Sequence, residues 1–420
     1  MLNSYNKAMK QIFCPLWGFI ELTPLLSKIL DTAEMQRLRD IKQLGATYFV
    51  YPSATHTRLE HSLGVCHLAR LLGESLQKNQ PELKITARDI EIWQVAALVH
   101  DIGHGPFSHL YDHYVKLANE PDHEERGLHI FNNLCKREKI NLTAAEITEV
   151  HRMVDPKGKD INHWKYQLIA NKASQIDVDK IDYIQRDSFH VGIPHSGEFS
   201  RLITGARVCK IQHTSSITTE LCWNEKLQFD IYSLFASRYR LHKQVYTHHT
   251  VKAFEFIIIE MMKNMRAEVP TLSLALLSDV SILSRCYVNP TEWGKALIER
   301  KHPKCIGEYI INKRNQSPEE HVPEIRLILG YIIEEIKIGF VSGNGDNPLK
   351  KVHYYSEPSS PRYTNIEPET PMKKGFTIDI NSTSFIIPEK FQERILRLYT
   401  FSNNIEEAKK YWKTIVQQYH

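Results

Sequence analysis

No apolar run in this 420-residue chain approaches the ~20 residues that a membrane-spanning helix needs, which argues against a helical membrane protein and a membrane partner. The seven cysteines contain no Cys-x-x-Cys pair, so neither a zinc ribbon nor a disulfide framework is expected; buried thiols in a reducing compartment are. The stretch "IFCPLWGFI" is short, interrupted by proline and without a basic flank or a small-residue cleavage site. No secretory leader is expected, and a nuclear or cytoplasmic location is. An excess of one charge is missing too. Lys and Arg number 53 against 49 Asp and Glu, and the resulting +4 does not by itself announce a nucleic-acid surface. No internal repeat is visible.

What is present is ordinary globular composition, 42% hydrophobic and 24% charged, with helical periodicity through the first two-thirds. "DTAEMQRLRDIKQLG" reads as a helix capped at Asp31 or Thr32, with Met35, Leu38, Ile41 and Leu44 on one stripe and a stop at Gly45. "RLEHSLGVCHLARLLGESL" and "DIEIWQVAALVH" read as two more. "TAAEITEV" opens on a Thr143/Glu146 capping box, and "FDIYSLFASRYRLHKQVYTHHTVKAFEFIIIEMM" is a long helix or two. Only "ARVCKIQHTSSITTELCW" and "FTIDINSTSFIIP" alternate as strands do. From Val341 to Phe376 the composition turns to Gly, Pro, Asn, Ser and Lys, followed by the amphipathic "PEKFQERILRLY" and "IEEAKKYWKTIVQQY", both read as helices. The expected fold is mainly α, with a core over residues 1–335 and a small α+β appendage over 336–420.

Histidine is the informative residue. A disproportionate share of the 21 falls between His56 and His123, and "AALVHDIGHGPFSH" sets His100 and Asp101 at the end of an apolar helix that Gly103 and Gly105-Pro106 prevent from continuing. Imidazole and carboxylate together suit a first-row transition metal or Mg²⁺, and "HTRLEH" and "DVDKIDY" offer His61 and Asp179 as further ligands. Two histidines and two aspartates leave room for water and a phosphate oxygen, as metal-assisted phosphoester hydrolysis requires. A lone His-Asp dipeptide is more often an ordinary helix-end pair.

The order H…HD…D resembles that of the HD-domain metal phosphohydrolases. More narrowly, "GFIELTPLL", "DTAEMQRLRDIKQLG", "TRLEHSLGV", "HDIGHGPFSH", "IDVDKIDYIQRDSFHVGI", "ARVC" and "IPEKF" are similar to the HD-domain dNTP triphosphohydrolases, whose animal members add a sterile alpha motif. That motif is not expected here, since HD-type sequence starts almost at the first residue. The resemblance implies an HD-type helical metal phosphohydrolase core with an N-terminal regulatory segment. It makes His61, His100, Asp101 and Asp179 ligands of a divalent ion (Fe, Mn, Zn or Mg). It puts Arg58 on the α-phosphate and His104, His109 and His123 around the reacting phosphorus, where a histidine can protonate the leaving 5′-oxygen. Lys180 and Arg238 match β- and γ-phosphate contacts, Gln43 and Asp187 the 3′-hydroxyl and Leu44 the base; Tyr183 and Tyr246 stand where a 2′-hydroxyl would collide, and His242 belongs to the same substrate set. The implied reaction turns dNTPs, broadly accepted, into deoxynucleoside and inorganic triphosphate.

The resemblance also implies GTP and dNTP as activators of a homotetramer. Lys10, Asp31, Gln36, Arg39 and Arg362 match the guanine-nucleotide site, and Arg201, Lys226 and His248 the adjoining dNTP site. There the chain departs from the pattern: Phe13 and Cys14 replace Asn and Asp, Asn224 replaces a basic residue, and His249 replaces a lysine. Weaker phosphate binding at the second site is expected. Two other readings stay open: an HD-type phosphatase or phosphodiesterase for a smaller nucleotide, and a paralogue that only binds nucleotides or single-stranded nucleic acid through segments such as "NKRNQ" and "KKVHYY".

Overall fold

Thr86 and Thr143 each accept the backbone N–H three residues on while Asp89 and Glu146 return the bond to the cap, and helices Ala87–Val99 and Ala144–Val154 begin there. Such caps contribute about 1 kcal/mol apiece. These two helices, with Arg58–Asn79 and Val178–Val191, form the centre of the computed structural model, which describes residues 9–197, 199–214, 216–268, 273–288, 290–311, 324–341, 345–357, 372–379, 383 and 385–418. Gly64 lets the Arg58–Asn79 helix come so close to Val178–Val191 that an added Cβ would stand 1.9 Å from Asp182 Oδ1. The long apolar stretch divides into helices Gln228–Leu241 and His249–Glu268, joined by a wide π-turn at His242–Tyr246. None of the described helices is long and apolar enough to cross a membrane.

The segment after Asp31 is less helical than its stripe predicts. Helix Ala33–Arg37 runs into a 3₁₀ turn at Leu38–Asp40, and Lys42 then bridges to Thr57 in extended backbone. Side chains draw it out of the helix. Arg37 donates to the carbonyls of Leu277, Ile102 and His104, and the buried Asp279 carboxylate accepts Lys42 N–H at 2.9 Å. The Thr32 hydroxyl, expected to cap, donates instead to the Ile29 carbonyl.

Strands β1 (Lys10–Cys14) and β2 (Gly18–Leu22) make an antiparallel hairpin that the Pro15-broken sequence did not suggest; Gly18 turns it at φ +71°. As expected, β3 (Ala206–Gln212) and β4 (Ile217–Asn224) pair antiparallel. A second sheet holds β5 (Lys304–Ile310), β6 (Glu324–Ile328) and β7 (Tyr331–Gly339), while β8 (Tyr354–Tyr355) adds parallel to β4. The strand β9 (Gln392–Thr400) completes that second sheet in the antiparallel order β5-β9-β7-β6.

β9 corrects the reading of "PEKFQERILRLY" as a helix. Ile395, Leu396, Leu398 and Tyr399 are fully buried between two neighbouring strands, so consecutive apolar residues serve two covered faces rather than one helical stripe. In "FTIDINSTSFIIP" the expected strand is reduced, among the described residues, to one bridge between Phe376 and Tyr354; residues 380–382 and 384 lie outside them. The last helix, Ile405–Gln417, is as expected and packs against β5, where an added Cβ at Gly307 would meet Trp412. All seven cysteines are unpaired thiols, six of them buried.

Candidate active site

Arg58 and His61 share the first turn of their helix, His100 and Asp101 close theirs, and Asp179 lies in the first turn of Val178–Val191. The three ends converge. His61 Nε2 is 2.9 Å and His100 Nε2 3.7 Å from Asp179 Oδ1, and one ligand atom from each of these residues falls within 4.8 Å of the others. Asp101 joins from the side: Oδ1 is 3.4 Å from His100 Nε2 and Oδ2 is 3.8 Å from His61 Nε2 while also engaging Arg58.

Both imidazoles are fixed from behind. His100 Nδ1 is 2.8 Å from the Ala97 carbonyl and His61 Nδ1 2.8 Å from Asp182 Oδ2, which turns each Nε2 toward the shared point. Asp182 is itself held by Arg186 and by Trp17 Nε1 at 2.6 Å. His100 Nε2 is buried without a hydrogen-bond partner. An orphaned imidazole nitrogen between two carboxylates and a second imidazole is the donor set a divalent cation takes.

The electrostatics are those of a tight cluster. Burial opposes charge on His61, but Asp179 and Asp182 outweigh it and raise its pKa to about 10. Burial also works against ionised Asp101 and Asp179; Arg58 with His100 and His104 holds the first well below the usual carboxylate range, and His100 with His61 lowers the second.

Beside this cluster lies a second. Gly103 touches the start of helix His123–Arg137 so closely that an added Cβ would be 2.0 Å from the His123 carbonyl. The contact stacks His104 on His123, centroids 4.1 Å apart, with His109 edge-on at 5.1 and 5.6 Å. Asp112 Oδ2 is 3.3 Å from His123 Nδ1, and its Oδ1 accepts from Arg126. His109 is pushed down to about 3 by burial and by Arg58, His123 and His113, so it is neutral. Phe107 and Ser108 reach the left-handed side, φ +54° and +56°, which costs on the order of 1–3 kcal/mol per residue. Asp279, accepting Phe107 N–H at 2.6 Å, and Arg58 Nε, donating to Ser108 Oγ at 2.6 Å, hold that turn.

Both clusters open on one cavity of about 600 Å³, also lined by Gln43, Leu44, Tyr183, Asp187, Arg238, His242 and Tyr246. Asp187 is buried, 2.8 Å from His56 Nε2 through one oxygen and accepting the Tyr246 hydroxyl through the other. Arg238 Nη1 donates to the Gly339 carbonyl at 2.7 Å. Lys180 is buried, but its ammonium donates to the Gln175 carbonyl at 2.8 Å and it is absent from the cavity wall.

The residues matched to regulatory sites are elsewhere. Lys10 pairs with Asp31 at 2.8 Å, Gln36 bonds the Leu30 carbonyl and Arg39 donates to Gln36, so these four form one patch, exposed but for the half-buried Gln36. Arg201 pairs with Asp230, Lys226 is exposed, and His248 stacks on His249. Arg362 lies outside the described residues. Sequence reading missed Asp182, Asp112 and His56. The first two had a signal, standing three residues after Asp179 and His109 on helices; His56 had none, because its partner is 131 residues away.

Residues 58–187 match the HD domain family. The chain is 30% identical to the deoxynucleoside triphosphate triphosphohydrolase SAMHD1 of Bos taurus over 95% of its own length and 76% of that protein. It is 31% identical to the enzyme of that name from Homo sapiens, covering 93% and 70%, and 30% identical to the SAMHD1 homolog of Dictyostelium discoideum, covering 94% and 78%.

Proposed function

Because this chain belongs to the HD-domain deoxynucleoside triphosphate triphosphohydrolase family, we propose that its cavity hydrolyses dNTPs to deoxynucleoside and inorganic triphosphate at a divalent-metal centre. The observation that carries this reading is one cavity in which an orphaned His100 Nε2, with His61, Asp101 and Asp179, faces a histidine cluster on one side and the Asp187–Tyr246 pair on another. His61, His100, Asp101 and Asp179 would hold a divalent ion, which when bound would supply Lewis acidity at a phosphate oxygen and lower the pKa of water.

The remaining roles fall to the chain. Arg58, already neutralising Asp101, faces the α-phosphate and offsets charge growing on its oxygens. Water adds to the α-phosphorus as the bond to the 5′-oxygen breaks, and that oxygen leaves with a proton. His123, backed by Asp112, can carry that proton; His109 lacks a paired carboxylate and stays neutral, a hydrogen-bond donor. Arg238 receives the terminal phosphates; Lys180 joins once it releases the Gln175 carbonyl. Asp187, with Gln43, accepts the 3′-hydroxyl, Leu44 covers the base, and the rings of Tyr183 and Tyr246 leave no room for a 2′-hydroxyl.

The patch of Lys10, Asp31, Gln36 and Arg39 offers a carboxylate for the guanine N1–H and N2–H and basic groups for its phosphates, which supports GTP-driven assembly of an active homotetramer. Stripping divalent ions with a chelator and restoring them one at a time tests the core of the proposal. Turnover should vanish and return with at least one of Fe²⁺, Mn²⁺, Zn²⁺ or Mg²⁺; full activity in stripped protein overturns it.

A further inference from the structure

A buried ion pair in the cavity wall is unused by these roles. Lys252, in the first turns of helix His249–Glu268, engages the Glu255 carboxylate, and both line the cavity with side chains only 11% and 15% exposed. Lys252 Nζ is also 5.7 Å above the Tyr114 ring and 3.6 Å from Glu334 Oε1, itself a buried oxygen without a hydrogen bond. Placing a lysine and a carboxylate in a wall that apolar residues could fill, with a second carboxylate, Glu334, buried behind them, is expensive, and a buried pair does not in general return that cost as stability.

Strand β7 relates this pair to the rest of the cavity, to whose wall it gives Ile336 and Lys337. β7 runs along it: Gly339 accepts from Arg238 at one end and Glu334 meets Lys252 at the other. Those two strand positions are five residues, or about 16 Å, apart. Lys252 and Arg238, the cation assigned to the phosphates, thus reach β7 at two different positions. The helix that carries Lys252 packs on the turn that follows Leu44, since Phe49 stacks on Phe254 with centroids 4.7 Å apart, and Leu44, Lys252 and Glu255 line the same cavity. Gly45 and Thr47 of the same turn line the cavity. From the metal ligands outward, His104, His109, His113 and Tyr114 make successive ring contacts and end under Lys252.

We propose that Lys252 and Glu255 read the edge of the nucleobase and make the enzyme prefer guanine. This rests on the dNTP-hydrolase reading of the cavity and replaces its broad base tolerance. An ammonium only donates and a carboxylate only accepts. Guanine presents a carbonyl oxygen, O6, beside two N–H donors at N1 and N2, which satisfies the ammonium and both carboxylate oxygens together. Adenine, with one amino group and a ring nitrogen, leaves a carboxylate oxygen without a donor, and burial makes such a loss costly.

The test is competition. Full-length enzyme with Mn²⁺ receives an equimolar mixture of the four dNTPs, so that any activation is common to all, and each is followed by ion-pair chromatography. The expected result is dGTP consumed about tenfold or more ahead of dATP, the scale a satisfied polar contact gives. In Lys252→Met and in the near-isosteric Glu255→Gln the ratio should fall toward one. An even ratio in the parent, or an unchanged ratio in Glu255→Gln, overturns the inference while triphosphate release upholds the dNTPase reading. No triphosphate release from any dNTP overturns both. The parent ratio and the Glu255→Gln ratio decide the matter even if Lys252→Met does not fold.

Discussion

Tyr246 donates its hydroxyl to Asp187 Oδ2 at 2.5 Å, while His56 approaches the other carboxylate oxygen. The ring is thereby held across the cavity rather than left to rotate. Tyr246→Ala should admit ribonucleotides and raise the UTP-to-dTTP ratio of kcat/KM by about tenfold or more. Tyr246→Phe, which keeps the ring, should change it far less. A ratio unmoved by Tyr246→Ala with dTTP turnover retained would remove Tyr246 from sugar selection.

His100 and Asp101 are neighbours with different second duties. Apart from the ligand cluster, His100 leans on a backbone carbonyl, whereas Asp101 neutralises Arg58, whose side chain is 4% exposed. His100→Ala should lose bound metal and at least a hundredfold in rate, roughly the upper range seen for weaker perturbations of metal shells, with little change in melting temperature. Asp101→Ala should lose metal too, and in addition about 3–5 kcal/mol of stability from a buried guanidinium left unpaired. Elemental analysis with calorimetry checks both; full metal occupancy in His100→Ala contradicts the ligand assignment.

Asp182 fixes His61 Nδ1 from behind and is fully buried. Asp182→Asn should weaken metal affinity about 10–100-fold, measured by titration against a competing chelator. Unchanged affinity would reduce Asp182 to a structural partner of Arg186.

Glu220 bonds His213 Nε2 at 2.7 Å and faces His353 Nδ1 at 3.4 Å, the residue before β8. Burial works against its charge, but His353, Thr218 and His213 prevail and bring its pKa down from 4.5 to about 2. A carboxyl depressed in the folded state contributes stability above its unfolded pKa and loses it as pH falls through the folded one. Melting temperature should therefore drop between about pH 4.5 and 2 through this group. Glu220→Gln should be less stable at neutral pH and flatter across that window; parallel profiles would contradict the assignment.

Asp31, paired with Lys10 at 2.8 Å, tests regulation. GTP should shift the parent chain to tetramer in size-exclusion chromatography and raise its rate, and Asp31→Ala should lose both responses. Indifference to GTP in both proteins would leave the catalytic cavity standing and remove the activator.

Local signals were legible where they were self-contained. The Thr143/Glu146 box and a helical run, as one helix or two, through Gln228–Leu241 and His249–Glu268 could be read from spacing, as could the His100-Asp101 helix end; the π-turn between the two helices could not. β9 could not: Ile395, Leu396, Leu398 and Tyr399 have helical spacing as well, and only the strands on either side decide between the two. The Ala33–Arg37 helix is short because Asp279 and Arg37 tie its continuation to segments 60 or more residues away. In the site, the four metal-ligand candidates do converge, and the histidine cluster lies beside them. Asp112 and Asp182 stand at helical spacing from His109 and Asp179, whereas His56 was legible only once the helices were packed, since its partner Asp187 is 131 residues away.

The position at which the phosphate chain is cut tests the proposed reaction most directly. Hydrolysis of a dNTP in ¹⁸O-labelled water, with products separated by ion exchange and weighed by mass spectrometry, should give unlabelled deoxynucleoside and inorganic triphosphate carrying one ¹⁸O. Pyrophosphate with a deoxynucleoside monophosphate, or label in the nucleoside, would contradict it.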